Sequence, residues 1–364
     1  MKKTVLHSFH ESYGAKIVPF AGYLMPIQYQ GIITEHLATR AKATVFDTCH
    51  MGEYYIYDGN ALIDLENLLT CHIDTMEIGQ CRYGLICNKK GGVIDDQVIY
   101  RLDKNRFFMV VNAVNKDFDL EWIRSHISKK TRIEDASDNT AKIDLQGPES
   151  PQIMQKLMED GIDDMKFYYF KYNKYKDKEI LISRTGYTGE VGFEIYCDNE
   201  LGIALWNDCI ECGAKPAGLG ARDTLRLEMG FPLYGHELSS DWNAAESGLM
   251  RHIATDKEFI GSKAALDVSQ RVFSLAGMIL NDRRAARAHD TVFDMNGKKI
   301  GFITSGSFSP SIGKAIAMGY IHKSSSEPGT VLSIKTERNE LKATIHQTPL
   351  YKKGTWKKNL DCFL

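Results

Sequence analysis

Gly91-Gly92-Val93-Ile94-Asp95-Asp96-Gln97-Val98-Ile99-Tyr100 places two adjacent carboxylates in a run whose β-branched and aromatic residues read as a strand. Side chains alternate along a strand, so Ile94, Asp96, Val98 and Tyr100 are expected on one face and Val93, Asp95, Gln97 and Ile99 on the other. An unpaired buried carboxylate is strongly disfavoured or takes up a proton. A strand that keeps Asp96 on an apolar face therefore gives it a partner: a ligand, a backbone group or an arginine. Arg101 to Arg106 then leads into Phe107-Phe108-Met109-Val110-Val111-Asn112, which predicts a hairpin with Asp103 to Asn105 as its loop. In that register Leu102 faces Arg106, Tyr100 faces Phe108, Val98 faces Val110 and Asp96 faces Asn112. Two polar side chains then close one end of an apolar ladder, a small polar site walled by Tyr100, Val98 and Val110. The other use of Asn112 is capping backbone at a strand end.

Outward from this hairpin, helical periodicity marks Gly31 to Ala43, Ala61 to Leu69, Lys116 to Ile127, Pro151 to Glu159, Leu201 to Cys212, Arg222 to Gly230 and Ser262 to Val268. Strand-like runs lie between them at Glu53 to Tyr57, Arg82 to Asn112, Lys142 to Gln146 and Glu179 to Cys197. Without a steady β-α-β rhythm, the pattern predicts a mixed α+β fold. After about residue 245 short strands separated by Gly, Asn and Ser turns predict a compact antiparallel barrel or sandwich. The basic and aromatic Tyr351 to Lys358 reads as a solvated tail.

A chain of 364 residues is long enough for two or three domains and needs no covalent staples. Its net charge of -2 argues against a nucleic-acid partner. No signal-like h-region and no apolar run of roughly 20 residues is present, so a soluble, cytoplasmic protein without a membrane is expected. Eight scattered cysteines do not form a disulfide framework. Cys209 and Cys212 make a C-x-x-C, but they sit at helical spacing with Ile203, Leu205 and Trp206 and read as packing, so no metal is assigned.

Two further constellations stand out. Arg184-Thr185-Gly186-Tyr187-Thr188-Gly189-Glu190 joins two strand-like runs through glycines that leave Tyr187 projecting. In the returning strand Glu194 and Tyr196 share a face opposite Val191, Phe193 and Ile195. A ring carrying an N-H beside an exocyclic amine, such as a pterin, would meet Glu194 through paired hydrogen bonds and stack on Tyr187; a solvated Glu194 is the alternative. Gly218-Leu219-Gly220-Ala221-Arg222-Asp223 opens a helix, yet Asp223 stands where a dinucleotide loop needs glycine. Arg222 opposes the helix dipole, which points to an acceptor partner or to a salt bridge with Asp223 or Glu228.

These motifs, with Phe20-Ala21-Gly22, Met25-Pro26, Phe46-Asp47, His50-Met51-Gly52-Glu53, Gln146-Gly147-Pro148 and Thr304-Ser305-Gly306-Ser307-Phe308-Ser309-Pro310, together resemble the T-protein of the glycine cleavage system, a family of tetrahydrofolate-dependent aminomethyltransferases. The resemblance runs nearly end to end. It implies a three-lobed cloverleaf around a central folate cavity: a discontinuous first lobe of residues 1-50 and 137-245, a second lobe of 51-136 and a β-rich, barrel-like C-terminal lobe of 246-364. It further implies that Asp96 is the catalytic carboxylate and that Met51, Tyr83, Tyr100, Asn112, Tyr169, Tyr187, Glu194 and Arg222 bind the folate. The implied reaction takes an aminomethyl group from the lipoyl arm of the H-protein, releases ammonia and gives 5,10-methylenetetrahydrofolate. Tetrahydrofolate is then the co-substrate and the lipoyl H-protein the partner.

The chain has Cys49 where this family usually has Ser, Asn243-Ala244-Ala245-Glu246-Ser247-Gly248-Leu249 for Asn-Pro-x-Glu-Ala-Gly-Leu, and His289-Asp290 for Gly-Tyr. Arg283, Arg284 and Arg287 still supply a basic stretch for carrier docking. One alternative on the same lobes is a folate-dependent demethylase of a small N-, S- or O-methyl compound. Another is a non-catalytic folate-binding protein of iron-sulphur assembly, whose Lys-Gly-Cys-Tyr-x-Gly-Gln-Glu has only the cysteine-free Gly230 to Glu237 as a counterpart.

Overall fold

The strand carrying Asp96 runs from Val93 to Asp103 as the second strand of an antiparallel five-stranded sheet, in the order Cys81–Cys87, Val93–Asp103, Arg106–Val111, Gly52–Tyr57, Arg132–Asp135. The structure is a computed structural model that describes all 364 residues, except for the side chain of Gln270. One face of this sheet, with Tyr54, Ile56, Ile99, Phe107, Met109 and Val111, packs on the helices Ala61–Leu68 and Lys116–His126 through Leu65, Leu68 and Ile123. The opposite face is also covered. There Tyr100, Phe108 and Val110 meet Phe170, Leu181 and Tyr196 of a second sheet, so the two sheets bury apolar surface against each other.

The second sheet is ordered Phe170–Tyr175, Lys178–Ser183, Gly192–Asp198, Thr140–Gln146, Thr44–Asp47, Lys215–Pro216, with only the last pair parallel. Its far side packs Ile143, Phe193 and Ile195 on Trp206 and Leu205 of the helix Asn199–Glu211 and on Ile153 and Met154 of the helix Ser150–Leu157. Cys209 is buried in this core and all eight cysteines are free thiols. Residues Phe273–Leu280, Lys314–His322, Lys299–Ser309, Thr291–Phe293, Val331–Lys335 and Glu340–His346 close into an antiparallel barrel filled by Met278, Val292, Ile303, Leu332 and Ile334. The mixed α+β class and the C-terminal barrel are thus both present. Among the described residues no helix is long and apolar enough to cross a membrane.

Two details of the hairpin differ from the sequence reading. Tyr100 does face Phe108 and Val98 does face Val110, but Asp103 faces Arg106 across a two-residue turn and Leu102 is bulged. Asn105 ties that turn down, donating to Asp58 O and Gly59 O at 3.0 and 2.9 Å and accepting from Leu62 N at 2.9 Å. A second bulge opposite Ile86 and Cys87 breaks the alternation. Ile94 therefore joins Asp95 and Ile99 on the helix-covered side instead of Asp96.

The terminal segment also departs from expectation. Its lysines are exposed, but Thr355 Oγ1 donates to Glu190 Oε2 at 2.5 Å, and the Trp356 ring sits edge-on to Phe167 and Phe231 at 5.2 and 5.7 Å. A Cβ on Gly354 would lie 2.5 Å from Gly189 O. The segment lies against the Arg184 to Glu190 connection because its one tryptophan gains more from that aromatic contact than from water.

Candidate active site

Asp96 shares its strand face with Val98 and Tyr100 but stays half-buried, beyond the apolar contact of the two sheets. The Tyr83 hydroxyl donates to Asp96 Oδ2 at 3.0 Å and Asn112 Nδ2 donates to Asp96 Oδ1 at 2.7 Å. Both donors are neutral. Tyr83 lies opposite Val98 on the neighbouring strand and is braced by the His252 ring, edge-on at 4.8 Å. Burial drives the Asp96 carboxyl up to about 6, against the pull of the Tyr83 and Asn112 hydrogen bonds and of the Arg226 charge. A carboxylate there can change protonation near neutral pH while keeping lone pairs for a further donor.

Glu194 stands in a different setting. Asp144 and Glu194 are cross-strand partners, so like charges oppose each other. Lys142 settles this by reaching Glu194 Oε1 at 2.6 Å and Asp144 Oδ1 at 3.1 Å, and Arg222 Nη1 reaches Asp144 Oδ2 at 2.5 Å. The second Glu194 oxygen accepts from Thr185 Oγ1. Burial raises the Asp144 carboxyl, but the charges of Lys142 and Arg222 hold it below the ordinary range. Glu194 is therefore buried and paired rather than solvated, and Arg222 takes Asp144 as its acceptor.

The Arg222 guanidinium also lies 5.0 Å from the centre of the Tyr187 ring, which stacks on Phe231 at 5.8 Å while its hydroxyl donates to Pro232 O at 2.5 Å. On the same helix, Leu219–Met229, Arg226 is spent on Glu237 at 2.7 Å, Asp223 at 2.8 Å and Ser305 Oγ at 3.0 Å. Asp96, Tyr83 and Asn112 are thus joined by hydrogen bonds, and Glu194 and Arg222 by the Lys142 ladder. Met51 packs on the inter-sheet cluster. Tyr100 is fully buried inside that cluster, its hydroxyl 2.8 Å from that of Tyr196. Tyr169 instead turns outward and donates to Glu77 at 2.9 Å, while Tyr168, at φ 63°, takes the inward place beside Tyr100. Glu194 and Asp96 both add to the burial that raises the Tyr168 hydroxyl.

Lys142, Asp144, Tyr168, Arg226 and His252 were not singled out from the sequence. Lys142 and Asp144 alternating with Ile143 and Leu145 carried the same signal as Asp96, charge on a strand deep in the chain. Elsewhere, the ligand atoms of Glu66, His72 and Asp74 lie within 4.8 Å of one another, but the Lys257 ammonium is already 3.1 Å from Glu66 Oε1. A cavity of about 1140 Å³ opens between the barrel and the start of the helix Ile32–Ala41, lined by Arg283, Arg284, Arg287, Arg338 and Thr224. Thr224 belongs to the helix that bears Arg222 and Arg226.

Comparison with known proteins gives this geometry a family. Residues 6–257 match the GCVT N-terminal domain and residues 274–352 the glycine cleavage T-protein C-terminal barrel domain. The chain is 38% identical over 356 residues to an aminomethyltransferase of Halothermothrix orenii, covering 96% of this chain and 99% of that one. It is 40% identical over 363 residues to an aminomethyltransferase of Caldanaerobacter subterraneus, covering 97% of each. The crystal structure of the glycine cleavage system aminomethyltransferase T from Bartonella henselae superposes with a TM-score of 0.92 at 30% identity, over 98% of this chain and 99% of that one. On sequence, domain order and three-dimensional structure alike, the chain belongs to the glycine cleavage T-protein family of aminomethyltransferases.

Proposed function

We propose that this chain is a cytoplasmic aminomethyltransferase that moves the aminomethyl carbon from the lipoyl group of an H-protein to tetrahydrofolate. In balance, the carbon loses its bonds to sulfur and nitrogen and gains two bonds to folate nitrogens. The two protons displaced from those nitrogens leave with the thiol and the ammonia. Family membership supports the reaction; the observation that carries it to a residue is Asp96, a carboxylate held by Tyr83 and Asn112 with burial raising it to about 6.

Tetrahydrofolate supplies the nucleophilic nitrogens, and the residues present suit such a ligand. Asp96 and Glu194 each keep unused lone pairs for N-H donors, and Tyr187, backed by Phe231 and Arg222, offers an aromatic face. Asp96 either accepts a proton from the folate nitrogen or stabilises positive charge developing there. Both roles need its ionised form, so turnover should fall as pH drops through about 6. Tyr83 and Asn112 hold the carboxylate in place, which spares reorganisation during transfer. The arginine-lined cavity of Arg283, Arg284, Arg287 and Arg338 suits docking of the lipoyl carrier, since an acidic surface would be recognised there in a salt-dependent way.

The test supplies aminomethylated H-protein and tetrahydrofolate and follows ammonia. Stoichiometric ammonia and methylenetetrahydrofolate support the proposal. Methyltetrahydrofolate formed from a small methylated compound, with no ammonia from a verified loaded carrier, would replace it with the demethylase.

A further inference from the structure

Directly behind Asp96, Asp95 and Asp119 face each other with no solvent exposure in the core beneath the five-stranded sheet. Asp95 faces inward by strand alternation with Ile99, and Asp119 comes from the first turn of the helix Lys116–His126. No lysine or arginine pairs with either among the described residues. The nearest amine on that helix, Lys116 Nζ, is directed to the Tyr23 hydroxyl at 3.0 Å and to Asp138 at 3.9 Å. The other ionisable groups facing the pair are Asp96, Tyr54 from the strand Gly52–Tyr57 and Tyr234 from the segment after the helix Leu219–Met229. The Tyr54 hydroxyl is committed to Lys116 O.

Two facing carboxylates in an apolar core with no cation are satisfied by one shared proton. Asn112 decides where it sits. Its backbone N-H donates to Asp95 Oδ2 at 3.0 Å and its Nδ2 to Asp95 Oδ1 at 2.9 Å, which favours charge on Asp95 and the proton on Asp119. The same Nδ2 donates to Asp96 Oδ1 at 2.7 Å. Turning the amide over would aim its oxygen at two carboxylates, so Asp95 fixes the orientation in which Asn112 serves Asp96.

We propose that Asp119 is a positioning residue for the one-carbon transfer, a protonated carboxyl that holds Asp95 and, through Asn112, sets the orientation and ionisation of Asp96. Burial raises both carboxyls of the pair, and the charges of Asp119 and Asp96 add to it at Asp95. The activity readout of this proposal rests on the aminomethyltransferase function, whereas its titration readout does not.

The experiment compares Asp119→Asn and Asp119→Ala in the full chain. With aspartate carboxyl carbons labelled with carbon-13, the wild type is expected to show a carboxyl of the pair titrating above about pH 6, far from the usual aspartate range. Asp119→Asn should abolish that titration and leave Asp95 ionised, because the amide N-H permanently replaces the shared proton. It should also keep kcat within about threefold, since the hydrogen bond to Asp95 survives. Asp119→Ala should lower kcat by about tenfold or more at unchanged KM for tetrahydrofolate. Its acid limb should move to lower pH, because Asp95, left without a donor, takes up a proton and no longer opposes ionisation of Asp96. An Asp95 carboxyl that still titrates above about pH 6 in Asp119→Asn, with the Asp96 signal told apart by its absence in Asp96→Asn, or an Asp119→Ala acid limb and kcat that superimpose on the wild type, would overturn the proposal. Should Asp119→Ala not fold, the Asp119→Asn titration alone decides. Absence of aminomethyl transfer by the wild type would instead overturn the function and leave the titration result intact.

Discussion

Glu228, on the helix Leu219–Met229, lies 2.8 Å from Arg40 Nη2, 3.2 Å from His36 Nε2 and 2.5 Å from Ser309 Oγ. Burial alone would raise its carboxyl, yet His36, Arg40 and Ser309 bring it down to about 2. Two residues earlier, Arg226 balances Glu237 in the same way, while on the strand Val93–Asp103 neither Asp95 nor Asp96 has an ion-pair partner and both carboxyls are raised. The difference separates scaffold from site. Around Glu228 the carboxylate joins the helix Ile32–Ala41 to Ser309 and Ser311 of the C-terminal lobe, and a charge that never titrates at working pH holds them. Asp96 can gain or lose a proton without disturbing those joints.

The strongest way to break this contrast is Arg226→Met, which leaves Glu237 buried without its counter-charge. A loss of about 3–5 kcal/mol in urea-induced unfolding is expected, with a smaller loss in the Arg226→Met/Glu237→Leu double variant, where no lone charge remains. Equal losses in the two would mean that packing, not charge balance, holds that helix. Next, Glu228 has a folded pKa near 2 against an ordinary 4.5, so its contribution is complete above pH 4.5 and is lost as pH falls toward 2. Its share is about 3 kcal/mol. Glu228→Gln should remove that segment of the stability curve, and a variant with unchanged acid unfolding would move Glu228 out of the scaffold.

Glu194 tests the border between the two regions, since Lys142 pairs it like a scaffold residue while it is proposed to bind folate. Glu194→Gln can still accept from Lys142, and calorimetry should show tetrahydrofolate affinity reduced by about 1–3 kcal/mol. Unchanged affinity would assign the whole Lys142 ladder to structure. The smallest effect is expected at the exposed rim. Arg284→Glu should weaken use of the loaded carrier by about 1 kcal/mol, less at high salt, and leave tetrahydrofolate affinity alone.

What the sequence could reveal follows from how local each signal is. The facing of Tyr100 with Phe108 and Val98 with Val110 was legible because hairpin strands pair close in sequence. Asp96 stood out as a charge in an apolar strand. Ile94 was misplaced because a bulge is set by the partner strand, here at Ile86 and Cys87. The exchange of Tyr169 for Tyr168 follows from one positive φ at a residue whose type does not announce it. The Lys142 ladder needs Arg222, 78 positions beyond Asp144, and its buried charges become readable only once the strands Thr140–Gln146 and Gly192–Asp198 are paired. Trp356 in the terminal segment was hidden by four lysines that do remain in solvent.

The most direct measurement is the pH profile of ammonia release from loaded H-protein by the wild type and Asp96→Asn, alongside calorimetric tetrahydrofolate binding. The wild-type rate should fall below pH of about 6. Asp96→Asn should stay folded, bind tetrahydrofolate within about threefold of the wild type and turn over about 100-fold or more slowly with no acid limb. Wild-type turnover by folded Asp96→Asn, or the same acid limb persisting in it, would contradict a catalytic role for Asp96.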